Sequence, residues 1–123
     1  MIRIGATAST SLVVDDASTA SALGSGDVPV LGTPKVVALV EAAAVAAIAG
    51  MLEDGQTSVG TNVTLDHLAP TRVGSSVLAT ATVTSVDRRS IRFDVDVTED
   101  GRTVATGTHV RAVVDRSRFL GSS

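Results

Sequence analysis

The chain has 123 residues, 44% apolar and 19% charged, with ten Lys and Arg against thirteen Asp and Glu for a net charge of −3. That length fits one domain over 1–123 and leaves no room for a second, the apolar fraction excludes a disordered chain, and the mild acidity argues against a nucleic-acid binder, which carries a basic stripe. Cysteine is absent, so disulfides, thiolate metal sites and cysteine nucleophiles are excluded.

Met1 to Thr7 lacks the basic start and apolar core of a secretory leader, so a cytoplasmic location is expected. Thr7 to Val14 reads as a first strand, rich in Thr, Ser and Val. Asp15 to Asp27 is small and polar, includes Gly24-Ser25-Gly26-Asp27, and reads as a loop with room to move. Thr33-Pro34 is a helix-start signature, a hydroxyl N-cap followed by a proline whose missing N–H costs nothing at the first helical position. The helix is expected from Pro34 to about Leu52, stopping at Asp54-Gly55. Val36 to Leu52 is seventeen residues with only Glu41 charged, short of the roughly 20 apolar residues of a membrane span. A buried helix is expected, with no membrane partner.

Strands follow. Thr57 to Leu65 is β-branched and alternating, and Ser76 to Val86 comes after a turn at Pro70 to Ser75. Asp87-Arg88-Arg89 is a tight connection to the clearest period-2 stretch, in which Ile91, Phe93, Val95 and Val97 alternate with Arg92, Asp94, Asp96 and Thr98. Glu99-Asp100-Gly101-Arg102 is a hairpin turn carrying the favoured Asp-Gly pair. Thr103 to Val114 is the last strand, and 115–123 reads as a tail. Short turns between successive strands imply antiparallel pairing. The expectation is an α+β chain with an antiparallel five-stranded sheet wrapped around one long central helix. A helix apolar on nearly every side must be covered all round, and a second copy of the chain is the natural cover for what one sheet leaves open.

Glu41 is the clearest candidate for chemistry. A carboxylate among sixteen uncharged neighbours is costly unless paired or functional, and such a site suits general-base work; a solvent-facing stripe or a bond to a backbone group is the structural alternative. His67 shares strand parity with Val59, Val63 and Leu65, which aims it at the core face at the strand's end, where a histidine polarises a carbonyl or is simply hydrogen-bonded. Thr33 is explained equally well as an N-cap or as a hydroxyl beside a helix N-terminus that attracts developing negative charge. Gly60 allows close backbone approach or marks a bulge. His109, on the more polar face of the last strand with Arg111, is expected to serve structure or a contact between copies. Arg72, Arg88, Arg89 and Arg111 are candidates for meeting phosphates.

Three stretches carry a resemblance: Val30-Leu31-Gly32-Thr33-Pro34 through Ala38-Leu39-Val40-Glu41; Thr57-Ser58-Val59-Gly60-Thr61-Asn62-Val63 with Asp66-His67-Leu68-Ala69-Pro70-Thr71; and Gly107-Thr108-His109-Val110-Arg111. Together they resemble the fluoroacetyl-CoA-specific thioesterase-like family of the hotdog superfamily, over roughly residues 7 to 115. The resemblance implies a hotdog fold, a homodimer with two sheets laid edge to edge, and hydrolysis of a short acyl-CoA thioester with no metal or organic cofactor beyond the coenzyme A of the substrate. It implies Thr33, Glu41 and His67 as the catalytic set and Gly60 and Arg111 as substrate-binding residues. One departure stands out: that family's fluoroacetyl-specific member has an aromatic gate before the helix, whereas Asp15 to Gly32 holds no aromatic residue here. Inherited catalysis with a different acyl group is expected. A noncatalytic acyl-CoA binder is the alternative; a dehydratase is a third reading without an extended motif to support it.

Thr33 and Glu41 are eight positions apart, about 12 Å along a straight helix, so one acyl group hardly touches both within one chain. A site composed across a two-fold, with Glu41 of one copy facing Thr33 or His67 of the other, is expected.

Overall fold

Alternation of apolar and polar residues builds the sheet. In the computed structural model, which describes residues 1–121, five strands form: β1 (Thr7–Val13), β2 (Gln56–His67), β3 (Ser76–Asp87), β4 (Ser90–Glu99) and β5 (Arg102–Asp115). They pair in the order β1-β3-β4-β5-β2, every neighbouring pair antiparallel. The β4–β5 hairpin turns through Asp100 and Gly101, at φ 50° and 78°, the left-handed pair of a primed turn whose twist matches its strands. Helices α1 (Ala20–Leu23), α2 (Thr33–Ala47) and α3 (Arg116–Phe119) complete the chain.

The long helix α2 lies chiefly over β1 and β3. Val36, Leu39, Val40, Ala43, Ala44 and Ala47 are its buried residues. They meet a sheet face of Ala79, Ala81, Val83, Ile91, Phe93, Val95 and Val97, all 2% exposed or less. Small residues at the helix and at β3 let the two backbones approach closely, as close packing of interiors requires. The opposite stripe of the helix is left open: Ala38, Ala42, Val45 and Ala46 are exposed.

Four sequence expectations need correction. The helix ends at Ala47, not near Leu52, because the chain leaves helical geometry at Ile48 and turns through Gly50 at φ 78°, a conformation a glycine adopts without strain. The helix N-cap is Gly32, with no side-chain bond; Thr33 sits inside the first turn with its hydroxyl spent elsewhere. The 15–27 segment is not a loose loop. Asp15 caps a 3-10 turn at Asp16–Ser18 and Thr19 caps α1, while Ala20 N donates to Val30 O and Gly32 N to Ser18 O, at 2.8 and 2.9 Å. The expected tail begins with helix α3, capped by Asp115; residues 122–123 lie outside the described residues.

A fifth correction concerns β2. Gly60 pairs with Arg111 and Asn62 with Val110, so the register slips by one residue at Thr61. Such a bulge re-aims side chains. Ser58 and Gly60 before it, and Val63, Leu65 and His67 after it, therefore share the helix-facing side, opposite Val113, Arg111, His109, Gly107 and Ala105; Val59 does not.

Phe93 is fully buried and stacks on His109, ring centroids 5.8 Å apart. Phe93→Ala is expected to lower stability by about 3–5 kcal/mol, read as a lower urea midpoint at unchanged slope.

Candidate active site

The lead-in to α2 sets the first half of the site. Val30 bridges to Arg72 and Leu31 to Thr19, and Leu31 N donates to Thr71 O at 2.8 Å. Held between these segments, the chain brings Thr33 over the end of β2, with its Oγ1 2.8 Å from His67 Nδ1. Burial pushes the His67 pKa below the usual histidine value, partly opposed by the Ala69 backbone. The Thr33 hydroxyl and His67 Nδ1 share one hydrogen bond, in which Thr33 donates to the Nε2–H tautomer and accepts from the Nδ1–H tautomer. Nε2 is buried and has no hydrogen-bond partner among the described residues. Beside the pair opens a cavity of about 350 Å3, walled by Ala20, Gly26, Val28, Leu31, Leu68 and Ala69 among others. The ordered 15–27 segment is thus one wall of it, and no Asp, Glu, Lys or Arg lines it.

The second half lies two turns along α2. Glu41 was expected within a covered helix; it stands on the open stripe instead, its side chain 38% exposed, with Oε2 3.2 Å from Arg111 Nη1. A Cβ added to Gly60 would collide with that same Oε2 and lie 3.3 Å from His109 Cε1. Glycine at this point of β2 lets the carboxylate lie against the strand in this position, and a Cβ would make the carboxylate shift.

Arg111 is turned inward. Its side chain is 7% exposed. Nε donates to Ser58 Oγ at 2.9 Å and Nη2 to Ser58 O at 3.1 Å, while Nη1 serves Glu41 and His109 Nε2. These bonds aim the guanidinium at protein atoms rather than at a phosphate, and its reach toward a ligand runs through Glu41. Arg72, Arg88 and Arg89 are exposed. His109, expected on a polar face, is fully buried on the helix-facing side. Ser58 and His109 were not singled out for this site; the one signal for them is that they share a face with Gly60 and Arg111 once the bulge is known.

The structure therefore joins Thr33 to His67, and Glu41 to Arg111 and Gly60, as two clusters. The helical rise separates them by about 12 Å. Among the described residues no group of three or more His, Asp or Glu is arranged to hold a metal ion, and no helix is long and apolar enough to cross a membrane.

Burial holds the pKa of both histidines in the folded chain below the ordinary histidine value of about 6.5. As pH falls through 6.5 the unfolded chain takes up protons that the folded chain refuses, so the stability present above that pH is lost toward the lowered folded values. The melting temperature is expected to drop between about pH 7.5 and about pH 5.5, and the drop should shrink in His67→Gln.

Residues 14–117 match the family model described as fluoroacetyl-CoA-specific thioesterase. The fluoroacetyl-CoA thioesterase of Streptantibioticus cattleyicolor is 37% identical over 90 residues, 73% of this chain. That match spans 65% of the relative, a little under two thirds of its length. A crystal structure of a point mutant of the fluoroacetyl-CoA-specific thioesterase FlK with fluoroacetate and CoA superposes with a TM-score of 0.89 at 32% identity, covering 95% of this chain and 98% of that one. A Thermus thermophilus thioesterase-superfamily protein, at 24% identity and a TM-score of 0.90 over 98% of this chain and 89% of its own, shares the fold. The fold is the hotdog arrangement of these relatives, and the chain belongs to the fluoroacetyl-CoA-specific thioesterase family.

Proposed function

We propose that the chain is an acyl-CoA thioesterase acting as a homodimer, each active site made of Glu41 from one copy and Thr33 with His67 from the other. The carrying observation is the separation of the two clusters along α2, with Thr33 exposed and the Glu41 side chain 38% exposed. Three further features support a second copy as the missing half. The exposed stripe of Ala38, Ala42, Val45 and Ala46 is apolar around the single carboxylate of Glu41. Strand β2 pairs on one side only, with β5. A groove of about 220 Å3 between the end of α2 and the start of β2 is lined by Val45, Ile48, Leu52, Thr57 and Ser58 among others. An open edge and an uncovered apolar stripe side by side are what a two-fold pairing buries.

In this reading the acyl group enters the cavity beside Thr33 and His67. Its apolar lining suits a short, uncharged acyl chain, and the absence of aromatic residues from 15–32 argues against gating for a fluoromethyl group. Gly60 lets the thioester approach the strand, and Arg111 contributes by holding Glu41. The Glu41 carboxylate removes a proton from water as the water oxygen bonds to the thioester carbon; the carbonyl becomes an oxyanion near the positive end of α2 and the Thr33 hydroxyl, whose proton points to it while His67 Nδ1 donates to Oγ1. The C–S bond then breaks, the sulfur leaving as coenzyme A thiol with the proton that Glu41 took from water and the carbonyl re-forming in the free acid. Direct attack by Glu41, giving an anhydride that water opens, uses the same atoms. His67, neutral at neutral pH, orients the Thr33 hydroxyl. No metal or further cofactor enters these steps. A coenzyme A substrate fits a cytoplasmic setting.

Glu41→Gln keeps an oxygen for Arg111 but cannot accept a proton, and is expected to lower kcat by about 10²–10⁴-fold with the fold intact, measured as thiol release across a panel of short acyl-CoAs. Saturable binding without thiol release by the wild-type chain would indicate the noncatalytic binder instead. Mixing inactive Glu41→Ala and Thr33→Ala chains is expected to restore about a quarter of wild-type activity, since half the dimers then hold one intact site of two. No restoration after demonstrated subunit exchange would contradict the composite site.

A further inference from the structure

We propose that His109 is a positioning residue for the reaction: it fixes the Arg111 guanidinium, which in turn holds the Glu41 carboxylate against Gly60 with one oxygen free. The proposal rests on Glu41 being the acting carboxylate.

The hydrogen bonds define its protonation. His109 Nδ1 lies 2.7 Å from the Asn62 carbonyl oxygen, which only accepts, so Nδ1 carries a proton. Nε2 lies 3.1 Å from Arg111 Nη1, which only donates, so Nε2 carries the lone pair. One neutral tautomer satisfies both. The imidazolium would place an N–H against a guanidinium N–H and two positive charges together inside the sheet. Burial pushes the pKa down, as does Arg111, while the Asn62 bond and Glu41 oppose. The ring is fixed laterally as well, stacked on Phe93 at an interplanar angle of 25°.

The consequence reaches Glu41 through one shared atom. Arg111 Nη1 donates to both His109 Nε2 and Glu41 Oε2, while the other arm of the guanidinium is clamped on Ser58. Oε2 is thereby occupied, and Oε1 has no hydrogen-bond partner among the described residues. The bulge at Thr61 serves the same end, because it presents the Asn62 carbonyl to His109 directly beside Gly60. His109 touches no substrate in this arrangement; it acts through Arg111.

The test separates the two ends of the imidazole. His109→Gln offers a carboxamide oxygen at the Nε2 position and retains the acceptor for Arg111; His109→Asn reaches the Nδ1 position only and retains the bond to Asn62 O. If His109 positions Glu41, His109→Asn lowers kcat about 10²-fold, the size of loss that a small misplacement produces, with KM within about threefold, and His109→Gln recovers kcat to within about fivefold of wild type. In a Glu41→Gln background His109→Asn causes no further loss. His109→Leu fills the same volume without either bond and is expected to match the loss in His109→Asn, which covers the case of an Asn variant that does not fold. Wild-type kcat in a folded Asn or Leu variant, an equal loss in Gln and Asn, or a further loss in the Glu41→Gln background would overturn the proposal. An active Glu41→Gln chain would instead remove the reading of Glu41 on which it stands.

Discussion

The contact between Arg111 and Glu41 organises the functional half of this fold. A guanidinium 7% exposed is tolerable in a sheet only when its charge is paired and its donors are satisfied. Ser58, His109 and Glu41 meet those demands together. Each partner imposes a constraint of its own. Glu41 lies against a strand position without a Cβ, which Gly60 supplies; Ser58 and Gly60 must face the helix, as must Val63, Leu65 and His67, and the bulge at Thr61 reconciles the two registers. A small interruption of β2 thus lets one strand carry both the wall of the carboxylate site and the histidine at its far end.

The architecture also explains why the chemistry is divided. Helix α2 is committed to β1 and β3 along one side, which leaves Thr33 at its start against His67 and Glu41 two turns later against Gly60 and Arg111. A straight helix cannot bring positions eight apart onto one small group. Strand β2 keeps them apart too, since His67 and Gly60 are separated by roughly 20 Å at about 3.3 Å per residue. The exposed stripe runs from Ala38, between the two clusters, to Ala46, beyond Glu41, and β2, which carries both Gly60 and His67, is an edge strand of the sheet. In the proposed dimer, catalysis and association draw on the same surface, and a substitution that weakens pairing of two chains weakens the sites with it.

Much of the frame was legible because periodicity reports burial directly. The alternation from Ile91 to Thr98 and the Asp100-Gly101 turn specify a hairpin without ambiguity, and Glu41 stands out as the lone charge in the apolar run from Val36 to Leu52. What sequence pattern does not carry is which charge meets which. His109 and Arg111 look like a polar face because a buried, fully partnered polar residue and a solvated one have the same letters. Thr33 ahead of Pro34 looks like a cap because its competing partner, His67, is 34 positions away. The 15–27 segment looked loose because a 3-10 turn and a four-residue helix are too short to show a period, although Asp15 and Thr19 are both good capping residues. The overrun of α2 past Ala47 has the same origin: the alanine-rich run continues to Ala49, and only the glycine after it marks the turn.

The central claim is that a carboxylate fixed by Arg111 in one copy meets a thioester seated beside Thr33 and His67 of another. A crystal structure of the protein with a nonhydrolysable thioether analogue of an acyl-CoA tests it most directly. The account predicts a two-fold dimer in which the carbon standing for the thioester carbonyl lies about 3.5 Å from a Glu41 oxygen, or one water away, with Thr33 and His67 of the opposite copy on its other side. An analogue bound with Glu41 of both copies pointing to bulk water, away from the acyl carbon, would contradict it.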